Sequence, residues 1–137
     1  MAAYVVLHHR IDPSDSMPGR ETHFDWMFDN GRSLWTWATE PLPNVETVGP
    51  VPAIRLADHR RDYLEYQGTL TGNRGEVSRV EAGDFVLVTD SDECFQFLVQ
   101  GVRCGVLTFQ RVEAAESAER SDSLWNWTFL PTLNDAS

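Results

Sequence analysis

The pair Asn30-Gly31 stands between two apolar runs, and it limits the fold more than any other feature of this chain. Both residues tolerate positive φ, so an Asn-Gly step flanked by alternating apolar and polar residues predicts a β-hairpin with a two-residue type I′ turn. Such a turn sets a register in which Asp29 faces Arg32, Met27 faces Leu34, Asp25 faces Thr36 and His23 faces Ala38. Trp26 and Trp35 then share the opposite surface with Phe24 and Trp37, an aromatic layer suited to a core. The other surface carries His23 and Asp25 side by side.

Similar short alternation recurs along the chain between Gly, Pro, Asn and Asp residues and shows no convincing helical period. Strands are predicted at Ala3 to His9, His23 to Asp29, Leu34 to Ala38, Ala53 to Ala57 and Leu64 to Leu70. Others follow at Glu76 to Val80, Phe85 to Val88, Cys94 to Gln100, Arg103 to Gln110 and Leu124 to Leu130, with a single helical turn at Asp58 to Tyr63. The pattern predicts an all-β fold, a small closed β-barrel of about eight to ten short, mostly antiparallel strands with little helix. A chain of 137 residues is the size of one domain, expected over residues 1–131 with a tail at 132–137.

The segments Arg10 to Thr22 and Thr39 to Pro52 are long, Pro-bearing loops, and long loops in small domains usually carry function. Glu113 to Ser123 reads as an acidic, solvated loop. Gly72-Asn73 reads as a hairpin turn, because no G-x-x-x-x-G-K-[ST] pattern or helix accompanies it.

The formal net charge is −10, which weighs against a protein that tracks a nucleic-acid groove and allows one that grips a single terminal phosphate. Every cationic residue is Arg, so any fixed cation is a guanidinium suited to bidentate phosphate contacts. Cys94 and Cys104 lack C-x-x-C spacing and are expected to be buried free thiols. No signal-peptide pattern opens the chain and no apolar run approaches the roughly 20 residues of a membrane span, so a soluble cytoplasmic protein, expected to be monomeric, follows.

Four histidines are present: His8, His9, His23 and His59. In His23-Phe24-Asp25 a strand puts two ligand-type side chains on one face, about 6 to 7 Å apart at the backbone. His8 and His9 end the first strand on opposite faces, so one of them can join. Two chemistries fit such a set. One is the 2-His-1-carboxylate triad of non-haem Fe(II) oxygenases; the other is an Mn²⁺ or Zn²⁺ site acting as a Lewis acid on a phosphoryl group. The segment Asp58-His59-Arg60-Arg61-Asp62-Tyr63, with Arg55 just upstream, reads either as a phosphate cradle or as a solvated turn with an Asp-Arg ion pair. In the cradle His59 is the proton donor, and Arg55 and Tyr63 stabilise charge.

These pieces occur in an order that resembles the 3′-phosphoesterase module of bacterial DNA ligase D. The likeness lies in Tyr4-Val5-Val6-Leu7-His8-His9, His23-Phe24-Asp25-Trp26, Leu34-Trp35-Thr36-Trp37-Ala38 and Asp58 to Tyr63. It continues through Glu65-Tyr66-Gln67-Gly68, Gly72-Asn73-Arg74-Gly75, the hairpin from Phe95 to Gly105 and Trp125-Asn126-Trp127, over some nine tenths of the chain. The resemblance implies a β-barrel with its active site on one open face. It also implies Mn²⁺-dependent removal of a 3′-ribonucleotide and a 3′-phosphate at the 3′ terminus of DNA or an RNA-DNA primer, with repair proteins as further partners. By position, His9, His23 and Asp25 correspond to the metal ligands and His59 with Tyr63 to the phosphate-facing pair, while His8 points away. Zn²⁺ or another divalent ion fits the same ligands.

The chain departs from the family at two cationic positions. Met27 stands where the family has Arg, and Glu40-Pro41-Leu42 where a Lys usually follows. Losing one such charge stabiliser costs about 10²- to 10³-fold in rate, so a weakened enzyme, standing alone rather than fused to a ligase, is the expectation. Arg20, Arg55, Arg60 and Arg74 are the candidate replacements. The alternative from another class is a non-catalytic module that binds a nucleic-acid end or a repair partner.

Overall fold

The computed structural model describes residues 2–11, 22–70, 75–112 and 124–132, and nine strands carry most of them. They are β1 (Ala2–Arg10), β2 (His23–Asp29), β3 (Leu34–Thr39), β4 (Val51–His59), β5 (Gly68–Thr69), β6 (Glu76–Asp90), β7 (Cys94–Gly101), β8 (Cys104–Arg111) and β9 (Leu124–Pro131). A 3₁₀ turn spans Arg61–Leu64, and no α-helix occurs among the described residues. The sheet order is β1-β2-β3-β4-β9-β8-β7-β6-β5, and a further pairing of β1 with β6 closes the first eight into a barrel with β5 as an added strand. All pairings are antiparallel. Closure pairs both edges of β1, the usual way in which an all-β domain avoids open edges.

Strand alternation divides the apolar residues into two cores. The inward set includes Tyr4, Trp26, Phe28, Trp37, Phe97, Phe109 and Trp127, all fully buried. Phe28 stacks on Phe97 at 3.8 Å and Trp37 on Phe109 at 4.2 Å between ring centroids, so rings from opposite walls fill the barrel. The second core is smaller and lies on the outside of the barrel, where Val5, Leu7, Met27 and Leu34 are covered by Leu70, Val77, Tyr63 and Leu64.

The Asn30-Gly31 hairpin forms, but in another register. Asp29 pairs with Leu34, Met27 with Thr36, Trp26 with Trp37 and Asp25 with Ala38, which leaves a four-residue loop instead of a two-residue one. Side-chain bonds explain the longer loop: Asn30 Oδ1 accepts from the Arg32 and Ser33 amides, and Asp29 Oδ1 accepts from the Gly31 amide. An Asx-type turn thereby replaces the type I′ turn, with only Gly31 at positive φ. The shift is by two residues, so each side chain keeps its face and the aromatic layer and the His23-Asp25 surface both survive.

Three other expectations change. Glu76 to Val80 and Phe85 to Val88 belong to one strand, β6, because Gly83 is not a turn. It sits opposite Gly101, where an added Cβ would lie 2.5 Å from the Gln100 carbonyl oxygen and 2.9 Å from the Tyr4 ring. Of Leu64 to Leu70, only Gly68 and Thr69 pair as a strand; Leu64 and Leu70 instead cover the outer core. Both thiols are free as expected, but Cys104 is exposed and Cys94 half-buried rather than buried. The Gly72-Asn73 turn, Arg20, Arg74, the acidic segment from Glu113 and residues 133–137 of the tail lie outside the described residues. No helix among the described residues is long and apolar enough to cross a membrane.

Candidate metal centre

The outer face of β1 and β2 carries a cluster of His9, His23 and Asp25. His9 lies directly across from His23 in the β1–β2 ladder, and Asp25 follows two residues on, on the same face. His9 Nδ1 is 3.5 Å from Asp25 Oδ2 and His23 Nε2 is 3.0 Å from Asp25 Oδ1. The two imidazole rings meet edge to face at 4.8 Å. His8 takes the other face and stacks on Phe24 at 4.5 Å, which separates it from the cluster.

Asp25 is buried, at 2% exposure. Burial by itself would push its carboxyl up, but hydrogen bonds from His23 and His9, with their charge, outweigh it and hold the group below the usual aspartate range. The His8 ring is lowered by burial first, then by the nearby charges of Arg10, His23 and His9.

One ligand atom from each of His9, His23 and Asp25 lies within 4.8 Å of the others. Bonds of about 2.0 to 2.2 Å at tetrahedral or cis-octahedral angles place two donors on one ion about 3.0 to 3.6 Å apart, so closing this set on a cation asks side chains up to 4.8 Å apart to draw together by about 1 to 2 Å. Two imidazoles and one carboxylate suit Mn²⁺, Zn²⁺ or Fe²⁺ and leave further coordination positions for a substrate oxygen.

Two depressions meet at His9, Asp25 and His59. The smaller, of about 360 Å³, is mixed: Asp58, His59, Arg60 and Tyr63 line it together with Met27, Leu70 and Val77. The larger, of about 740 Å³, runs across the outer side of β3, β4 and β9, with walls of Ala38, Pro41, Pro52, Ile54, Leu56 and Leu124. His59 ends β4, and its Nδ1 lies 2.8 Å from the Ala57 carbonyl oxygen. A carbonyl only accepts, so Nδ1 carries the hydrogen and the neutral ring presents its lone pair at Nε2. The Tyr63 ring meets His59 edge to face at 5.6 Å.

Of the residues singled out from sequence, the structure gathers His9, His23, Asp25, His59, Arg60 and Tyr63 around one surface. Arg55 does not join them. It pairs across from Trp37 on the inward side of β4, and its guanidinium lies 4.5 Å over Trp37 and 4.8 Å over Phe95. A β-bulge between Leu34 and Thr36 puts His59 on the outer side and Arg55 on the inner one. Arg61 is also committed elsewhere, in a two-pronged bond to Asp29 at 3.0 and 2.9 Å. The ion pair expected for this turn therefore exists, with its carboxylate supplied by the hairpin. Met27 shares the face of His23 and Asp25 but is 1% exposed, inside the outer core.

The apolar groove walls Ile54, Leu56 and Leu124 were not singled out in the sequence. Their proximity depends on β4 pairing with β9, and no local pattern announces that contact. No family model matches this chain, and no match is found among curated proteins.

Proposed function

We propose that this chain is a metal-dependent phosphoesterase, with His9, His23 and Asp25 holding the ion. The observation that supports the reading is that three ligand-type side chains stand beside His59, Tyr63 and Arg60 on one outer surface. A divalent ion held there supplies Lewis acidity toward a phosphoryl oxygen. Arg60 and Tyr63 offer donors to the other phosphate oxygens. His59 gives a proton from Nε2 when protonated and accepts one when neutral, since its Nδ1 is held by Ala57. The likeness to the ligase D module makes the 3′ terminus of DNA or of an RNA-DNA primer the first ester to try, with Mn²⁺ as the first ion.

The test is release of phosphate or of a terminal ribonucleoside from such primers in Mn²⁺. Turnover lost in His23→Ala, and reduced about 10²-fold or more in His59→Ala with ion affinity kept, supports the reading. An Mn²⁺-loaded protein that turns over neither primer selects a second reading, the non-catalytic end-binding module. That reading is favoured by the buried thioether of Met27 and the acidic Glu40 at the rim, where cations would otherwise grip phosphate. Preferential retention of Fe²⁺ would favour oxygenase chemistry instead.

A further inference from the structure

We infer that the ester is a small phosphate monoester with an apolar alcohol group, its phosphate beside Arg60 and Tyr63 in the smaller depression and its alcohol in the groove over β3, β4 and β9. This rests on the phosphoesterase reading above and names the class of substrate for the same site.

The two depressions differ in what they offer a ligand beside the candidate metal ligands. The smaller holds Arg60, Tyr63 and Asp58 next to Met27, Leu70 and Val77, while the larger has mainly aliphatic walls and no Arg. Ile54 is 51% exposed and Leu124 40%, as outward apolar residues elsewhere in the barrel also are, but these two wall a groove that reaches the candidate ligands. Exposed apolar walls in a groove of this size, within the roughly 300 to 1,000 Å³ of small-molecule sites, gain most from an apolar occupant.

The hydroxyl groups of the groove are already engaged. Thr39 Oγ1 accepts from Trp26 Nε1 at 3.0 Å and donates to the Pro41 carbonyl at 2.8 Å. Thr22 Oγ1 accepts from the Ile11 amide at 3.1 Å. No Arg is among the described lining residues, the groove's histidines are the candidate ligands and His59, and Glu40 stands at the rim. The groove therefore has few means to read a base edge or to hold the next phosphate of a strand, and the net charge of −10 adds general repulsion.

His59 stands at the seam of the two depressions, where the bridging oxygen of such an ester would fall. In the reaction water adds to phosphorus and the bond from phosphorus to the bridging oxygen breaks. That oxygen takes a proton and leaves as the alcohol, while inorganic phosphate remains, so water is the only co-reactant.

The experiment is calorimetric titration of the Mn²⁺-loaded protein with ethyl-, butyl- and hexylphosphonate, which cannot be hydrolysed. Affinity should rise about fourfold per methylene until the groove is filled. Ile54→Thr with Leu124→Ser should flatten that dependence and leave ethylphosphonate and Mn²⁺ affinity unchanged. Both residues are exposed, so the fold should tolerate the change, and circular dichroism checks it. Val86→Thr, on a strand outside the groove, should change nothing. Equal affinity along the series would overturn the inference while leaving the phosphoesterase reading in place. So would a 3′-phosphorylated oligonucleotide that binds more than tenfold tighter than hexylphosphonate. An Mn²⁺-loaded protein that binds none of the phosphonates and no 3′-phosphate would overturn both.

Discussion

Met27 shows how a position that reads as functional in sequence becomes structural in the fold. Alternation puts it one step beyond Asp25, where the ligase D family carries Arg, so Met27→Arg is expected from sequence to raise 3′-phosphatase activity. In the barrel the thioether is buried among Val5, Leu7, Leu34, Leu70 and Val77. A guanidinium there would lose its hydration among those apolar side chains or would have to turn into the small depression that Met27 helps to line. The expected outcome is now a loss of about 2 to 4 kcal/mol in stability, measured by urea unfolding, with no gain in phosphate release. A variant as stable as the parent and more active would restore the first expectation. His23 differs, because it is half-buried at the surface of the cluster. His23→Ala should weaken Mn²⁺ binding by at least about 100-fold in a calorimetric titration, since even partners outside the ligand set are worth about 10- to 100-fold. Unchanged affinity would exclude His9, His23 and Asp25 as the ion's ligands.

The β2–β3 hairpin and β6 carry different lessons about local signals. Asn30-Gly31 announces a reversal of chain direction, but loop length depends on which donors the Asn30 and Asp29 oxygens capture. They capture three amides and draw Arg32 and Ser33 into the loop. Arg61 then fastens the 3₁₀ turn to Asp29, which brings Tyr63 over the outer core and next to His59. In β6 a glycine that looks like punctuation is a contact requirement. Gly83→Ala should cost about 1 to 3 kcal/mol, because its Cβ would meet backbone at 2.5 Å rather than a yielding side-chain tip. Chemical denaturation measures this. A cost under about 0.5 kcal/mol would show that the β6–β7 pair relaxes there.

The barrel as a whole holds a buried ion pair that the sequence does not announce. Arg103 is 3% exposed and Glu81 4%, with bonds of 2.8 and 2.9 Å between them, and the Tyr4 hydroxyl donates to Glu81 at 2.8 Å. Arg103 also lies 5.1 Å over Trp26 and 5.5 Å over Trp127, so it is packed as an aromatic neighbour as well as a charge. Burial, then the Glu81 carboxylate, pushes the Tyr4 phenol well up, so Tyr4 stays a donor. Glu81→Leu should cost about 3 to 5 kcal/mol by stranding the guanidinium, and adding Arg103→Met should recover part of that loss. Additive losses in denaturation would show that the two charges act independently. The acidic surface gives a prediction for the whole molecule too. With a net charge of −10, binding to long duplex DNA should be weak at physiological salt and should not grow with duplex length. Nanomolar, length-dependent binding in a fluorescence anisotropy titration would contradict an end-directed or small-molecule site.

The all-β class, the aromatic layer of Phe24, Trp26, Trp35 and Trp37 and the shared face of His23 and Asp25 were legible from the chain alone, because a two-residue period is a property of the strand backbone itself. The choice of His9 over His8 became a matter of one ladder, where His9 stands across from His23 and His8 stacks inward on Phe24. Arg55 and Leu124 could not be placed that way. A bulge in the β3–β4 ladder puts His59 on the face opposite Arg55, and the β4–β9 pairing brings Leu124 across from Ile54. Neither the bulge nor that long-range pairing leaves a mark in the local pattern. Barrel closure joins strands far apart in sequence, so the apolar groove, the Glu81–Arg103 pair and the burial of Met27 were settled only by the tertiary structure.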